Sequence, residues 1–108
     1  MKEDYNDYRI TALEKLLSYS LPDIYPIIEN IKVTKNDAGL YILIYTNLPD
    51  EITGENYWTS DFADNDFSWM KAKWIPHYMK YLGFDQNEFM GLYVYVFKKN
   101  GEVIQKEW

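Results

Sequence analysis

A chain of 108 residues, 47% hydrophobic, 19% aromatic and 26% charged, has the content of one folded domain and not of a disordered segment. It holds no cysteine, which excludes disulfides, zinc–thiolate sites and thiol nucleophiles. Its formal net charge of −6 opposes direct binding to nucleic acid, and no uninterrupted apolar run approaches the ~18 residues of a membrane span.

In chain order, Ile10, Leu13, Leu16 and Leu17 recur at helical spacing and predict a helix over residues 7–20, with Asp4 or Asp7 as its N-cap. Leu21-Pro22 is expected to end it, because a residue before proline avoids the helical region. Residues 22–27 then read as a connector. Ile31 and Val33 alternate with Lys32 and Thr34, which predicts a strand over 29–35. Asn36-Asp37-Ala38-Gly39 has turn chemistry, and residues 40–46 are apolar on both faces, as in a central strand. The two strands make a hairpin with a four-residue loop.

Residues 47–66 show no sustained periodicity and exceed the usual length of a connection, which marks a functional or disordered segment. Phe67, Met70, Trp74, Tyr78 and Tyr81 then form a helical stripe, which Pro76 kinks or divides. Gly83 is its C-terminal stop, with Phe84 packing back. Residues 88–99 and 102–108 flank Asn100-Gly101, a strong hairpin signal. The expected architecture is a single α+β domain over residues 1–108, built in two layers. Its order is α-β-β-loop-α-β-β, with an antiparallel sheet and both helices on one face.

The strings Gly39-Leu-Tyr-Ile-Leu-Ile-Tyr and Gly91-Leu-Tyr-Val-Tyr-Val-Phe are similar, by duplication or by convergence of two central strands. Splitting each into its two faces gives an aliphatic side (Leu40, Ile42, Ile44; Leu92, Val94, Val96) and an aromatic one (Tyr41, Leu43, Tyr45; Tyr93, Tyr95, Phe97). A two-residue turn at Asn100-Gly101 would set Phe97 opposite Ile104, Tyr95 opposite Lys106 and Tyr93 opposite Trp108. Tyr41, Tyr45, Tyr93, Tyr95, Phe97 and Trp108 are therefore one candidate surface, for a partner or for a second copy in a homodimer. Cross-strand aromatic pairing accounts for the same residues without any ligand.

No catalytic constellation stands out. His77 is the only histidine, and Lys71, Lys73 and Lys80 around it fit a solvated helix face better than a general base. Asp61, Asp64 and Asp66 near Trp58 and Trp69 have the residue types of a glycosidase, but a chain this short leaves little material for a cleft. Asp61-Phe-Ala-Asp64-Asn-Asp66 lacks the ligand alternation and glycine of a calcium loop, and the glycines form no phosphate-binding motif. No metal and no cofactor are expected. The aromatic strand after Gly91 has the rings of an RNA-recognition strand but not its element order or its positive charge.

The acidity is concentrated. Residues 50–66 carry six acids and no base, while the remaining eleven acids balance the eleven bases. Glu51, Glu55, Trp58, Asp61, Phe62, Asp64 and Asp66 therefore form the leading candidate binding surface: rings for affinity, charge for steering. The matching partner is a basic protein, most simply one that handles nucleic acid. The expectation is a non-enzymatic, cytoplasmic inhibitor of anti-defence type, such as an anti-CRISPR protein of a phage or mobile element. Ten lysines to one arginine fit an AT-rich genome. An immunity protein against a nuclease toxin obeys the same physics. A small enzyme or ligand-binding domain using the loop carboxylates or His77 is the reading of a different class.

Overall fold

The computed structural model describes residues 2–85 and 90–104, with side chains from Tyr8 onward. The elements are α1 (Lys2–Ile24), β1 (Ile28–Asn36), β2 (Gly39–Thr46), a 3-10 turn (Tyr57–Thr59), a π-helical turn (Met70–Trp74), α2 (Ile75–Tyr81) and β3 (Leu92–Phe97). Helices and a three-stranded mixed sheet make the chain α+β.

The first helix runs through Pro22 and does not stop before it. Ile10, Leu13, Leu17 and Leu21 are buried at spacings of three and four, so the apolar stripe extends a full turn past Leu17. Pro22 lies in the last turn, where it removes one N–H from the helical ladder, and burial of Leu21 outweighs that loss and the aversion of a pre-proline residue to helical geometry. The Tyr25 N–H then closes on the Leu21 carbonyl at 2.7 Å. The proposed caps Asp4 and Asp7 lie outside the described side chains.

Strands β1 and β2 form the expected hairpin, but its loop has two residues and not four, because Asn36 and Gly39 pair as part of the strands. The Asn36 side chain accepts the Ala38 N–H at 2.8 Å, an Asx turn. Strand β3 corrects the sheet prediction: it pairs with β2 in parallel, in the order β1-β2-β3. The two similar strings lie side by side in register, Leu40 with Leu92, Tyr41 with Tyr93, Ile42 with Val94, through Tyr45 with Phe97. Like rows thus stack on like rows, aliphatic on the core side and aromatic on the other. At the start of the pair the Leu40 N–H meets the Gly91 carbonyl at 2.9 Å. A Cβ on Gly39 would lie 2.3 Å from that carbonyl oxygen, and its φ is +148°.

Among the described residues the last hairpin is a turn with a single antiparallel bridge, Phe97 to Val103, and no fourth strand. The Lys98 N–H donates to the Glu102 carbonyl at 2.7 Å, which makes a three-residue turn with Gly101 at φ +91°. That extra residue shifts the register, so Phe97 faces Val103 and not Ile104. The expected pairs of Tyr95 with Lys106 and Tyr93 with Trp108 lie outside the described residues.

The second helical run departs from the α frame. Its π turn carries the Ile75 N–H back to the Met70 carbonyl, five residues away. Met70 and Ile75 are consequently both buried, and after them Tyr78, Met79 and Leu82 face the core. Trp74 is only half-buried, and Tyr81, at the end of the predicted stripe, is 78% exposed. Pro76 sits in the first turn of α2, where its missing N–H is harmless. At the other end the Phe84 N–H bonds to the Met79 carbonyl at 2.9 Å and the Gly83 N–H to that of Lys80 at 3.1 Å. With Gly83 at φ +87° and Phe84 buried, this is the expected glycine stop.

Candidate functional site

The acidic segment is an ordered ledge. Leu48, Ile52, Tyr57 and Phe67 are buried in the core beneath it. Thr53 and Asn56 exchange side-chain-to-backbone hydrogen bonds at 2.8 and 3.2 Å, and the Asn56 amide also reaches the Glu51 carbonyl at 3.0 Å. The Thr46 hydroxyl donates to the Phe97 carbonyl at 2.8 Å and accepts the Leu48 N–H at 3.1 Å, locking the ledge entrance to the end of β3. Lys98, buried beside that joint, donates to the Asp50 carbonyl at 2.8 Å and lies 3.5 Å from Glu102.

Two buried tyrosines hold the far end. The Tyr57 hydroxyl donates to the Asn65 carbonyl, and the Tyr25 hydroxyl donates to the next carbonyl, Asp66, at 2.9 Å. Their rings pack on Phe67, with centroids 6.1 and 5.1 Å from it. Burial first, and the negative charge of Asp66 second, push the Tyr25 hydroxyl up to about 12 against a hydrogen bond from Trp74. The same two causes push Tyr57 higher still. The Asp66 carboxylate accepts the Ser68 hydroxyl and, at 3.2 Å, the Ser68 N–H, so it also serves the start of the helical run.

The predicted site residues therefore separate. Glu51, Glu55, Asp61 and Asp64 are exposed, and Trp58 is 46% exposed with its ring edge-on to Tyr57 at 5.2 Å. Phe62 is half-buried and packs on the core, so it anchors the ledge and does not project from it. Trp69, just beyond the ledge, is 53% exposed. Its neighbours on a groove of about 300 Å³ include Tyr25, Asp64, Asp66, Lys73 and Trp74. The Lys73 ammonium lies 4.9 Å from the Trp74 ring centre and 5.8 Å from that of Trp69. Sequence reading missed this cluster because an α-helix would put Trp69 and Trp74 about 140° apart. The π turn brings them to one side.

On the aromatic side of the sheet, Tyr93 and Tyr95 are exposed and Tyr41, Leu43, Tyr45 and Phe97 are half-buried. Their rings lie against each other: Tyr41 on Tyr93 at 4.9 Å, Tyr41 on Tyr95 at 6.2 Å and Tyr45 on Phe97 at 4.8 Å. Each of these rings thus has at least one face on a neighbour. Strand β1 continues this side with Thr34 beside Tyr41 and Lys32 beside Leu43. Trp108 lies outside the described residues.

His77 is exposed, edge-on to Tyr78 at 5.2 Å, on an open cleft of about 540 Å³ with Lys80, Phe84 and Asp85. Among the described residues no three His, Asp or Glu side chains converge to hold a metal ion, and no helix is long and apolar enough to cross a membrane. Compared with protein-family models, curated proteins and solved structures, the chain has no match.

Proposed function

We propose that the chain is a two-layer α+β protein-binding module without catalytic activity, which docks its acidic ledge onto the basic surface of a nucleic-acid-handling protein. The observation that carries this reading is an ordered ledge that leaves two tryptophans half exposed. Trp58 and Trp69 stand at 46% and 53% exposure on a backbone held by the Tyr57, Tyr25, Thr46 and Lys98 hydrogen bonds. Exposed large rings on a rigid support have the character of hot spots, since little entropy is lost when they are covered. Exposed Glu55, Asp61 and Asp64 around them supply a field that steers a positive partner. An inhibitor that occupies a nucleic-acid channel in place of phosphate needs these properties.

The aromatic sheet side supports a partner less well. Three strands of nine, eight and six residues span roughly 400 Å², against the ~800 Å² that each member of a stable complex usually buries. A homodimer would need surface beyond that side, and rings already stacked on each other offer fewer faces to bases or sugars.

The test is capture of basic proteins from a low-GC bacterial lysate by the wild type and by the triple variant Glu55→Gln, Asp61→Asn, Asp64→Asn. The wild type should retain a nucleic-acid-binding protein at low salt and release it at ~0.5 M salt, where screening is strong. The triple variant should retain little at either. These three carboxylates are exposed, so its thermal midpoint should match that of the wild type. Equal capture by both proteins would refute the ledge as the docking surface.

A further inference from the structure

We infer that the groove between the end of α1 and the π turn is a cage for an arginine side chain of the basic partner, with Lys73 as its resident cation in the free protein. The inference rests on the docking reading and names the contact at its centre. Tyr25, Trp69 and Trp74 supply aromatic walls, and Asp64 and Asp66 supply charge, in a groove of about 300 Å³. That an organic cation fits is shown by the chain itself, whose Lys73 ammonium lies over both Trp74 and Trp69.

Lys73 does not satisfy the groove. No ion pair joins it to Asp64 or Asp66 among the described residues, so exposed Asp64 stays available to a second cation, while Asp66, whose Oδ1 accepts from Ser68, adds its negative charge. The side chain is exposed on a helical turn, free to swing out on its four-carbon stem. A guanidinium is planar, stacks on indole faces and is more weakly hydrated than an ammonium, so an incoming arginine displaces the resident lysine. Charge complementarity therefore selects the occupant, and the π turn builds the receptor by placing residues 69, 73 and 74 on one side of the helix. The raised Tyr25 hydroxyl accords with the negative potential there, since Asp66 contributes to it.

The probe is Nα-acetyl-arginine amide, with Nα-acetyl-citrulline amide as its uncharged isostere, titrated while the indole N–H signals of Trp58, Trp69 and Trp74 are followed by NMR. The arginine probe should give saturable shifts at Trp69 and Trp74 and none at Trp58, and citrulline should give none. Lys73→Ala removes the resident competitor and should tighten the probe about two- to fivefold, the worth of one exposed cation–π contact. Asp64→Asn should weaken it by a similar factor. Equal shifts at all three tryptophans, or a Lys73→Ala variant that binds no better than wild type, would overturn the cage. Once the basic partner is captured, Trp69→Ala should speed its release. Saturable probe binding by a protein that captures no partner would overturn the docking role alone. Partner capture unchanged by Trp69→Ala would overturn the cage and leave the ledge as the interface.

Discussion

Replacing Tyr57 with phenylalanine removes one oxygen atom and tests whether the acidic ledge is rigid for the reason given. The ring has no solvent exposure, and its hydroxyl donates to the Asn65 carbonyl at the far end of the ledge. Phenylalanine keeps the packing on Phe67 and leaves that carbonyl without its donor, which costs about 1–3 kcal/mol. In a domain near this size each kcal/mol lowers the thermal midpoint by roughly 4–8 °C, well within reach of circular dichroism. Amide exchange should quicken over residues 60–66 more than in β2, because the lost bond is local. A second signature comes from pH. In the unfolded chain a tyrosine ionises near 10, whereas folded Tyr25 holds its proton to about 12 and Tyr57 beyond that. Between pH 10 and 12 the unfolded state binds fewer protons, so stability falls as pH rises, by on the order of 2–3 kcal/mol for Tyr25 alone. Below pH 10 this contribution is complete and constant. The phenylalanine variant lacks the Tyr57 share, and its stability should decline less steeply across that window. An unchanged midpoint, with unchanged exchange at 60–66 and an unchanged alkaline slope, would refute the tyrosine clasp.

Two further substitutions test the sheet. The Val33 N–H, on the outer edge of β1, donates to the Glu14 carboxylate at 2.8 Å, so Glu14→Ala should cost about 1.5–3 kcal/mol and Glu14→Gln less. The alanine variant also frees an edge donor, and light scattering should show association at concentrations where the wild type is monodisperse. Gly39→Ala meets the Gly91 backbone at a φ of +148°, while at Gly101, with φ +91°, an added Cβ has nothing within 4 Å. Urea unfolding should therefore show a loss of only about 1–2 kcal/mol for Gly101→Ala and a clearly larger one for Gly39→Ala. Equal losses would mean that the close approach of β2 and β3 yields freely.

What could be read from the sequence followed from local physics. The β1–β2 hairpin, the glycine stop at Gly83 and the two-sided character of β2 and β3 each depend on a few neighbouring residues. The errors came where tertiary structure chose between local options. Leu21-Pro22 looks like a boundary until the core takes in Leu21. The stripe through Trp74 and Tyr81 assumed a constant helical period; one π turn buries Ile75 in place of Trp74 and leaves Tyr81 exposed, while Tyr78 still packs on the core. Parallel pairing of β2 with β3 has no local signal, although the matched strings beginning at Gly39 and Gly91 held the in-register answer. In the candidate site, the exposure of Trp58 and of the acids followed from composition. Phe62, expected on the binding surface, packs on the core instead, because the choice of ring that faces inward is made by the backbone path of the ledge.

Parallel pairing also changes what the length of the acidic segment means. Two parallel neighbours in one sheet need a crossover of a dozen or more residues, and the chain between Thr46 and Leu92 is that crossover. A long connection is therefore required by topology, and the one present exceeds that minimum several times over. What topology does not require is the surface it carries. A crossover needs Leu48, Ile52, Tyr57 and Phe67 to bury and Thr46 and Lys98 to fasten its ends, and it has them. It has no structural need of exposed Trp58 and Trp69, or of acids along residues 50–66 without one base to offset them. Exposed tryptophan and unbalanced charge both work against a solitary folded chain, the first through hydration and the second through self-repulsion. The two coincide on the one segment that the fold already holds by hydrogen bonds at both ends, and a basic partner of the kind proposed would offset both at once.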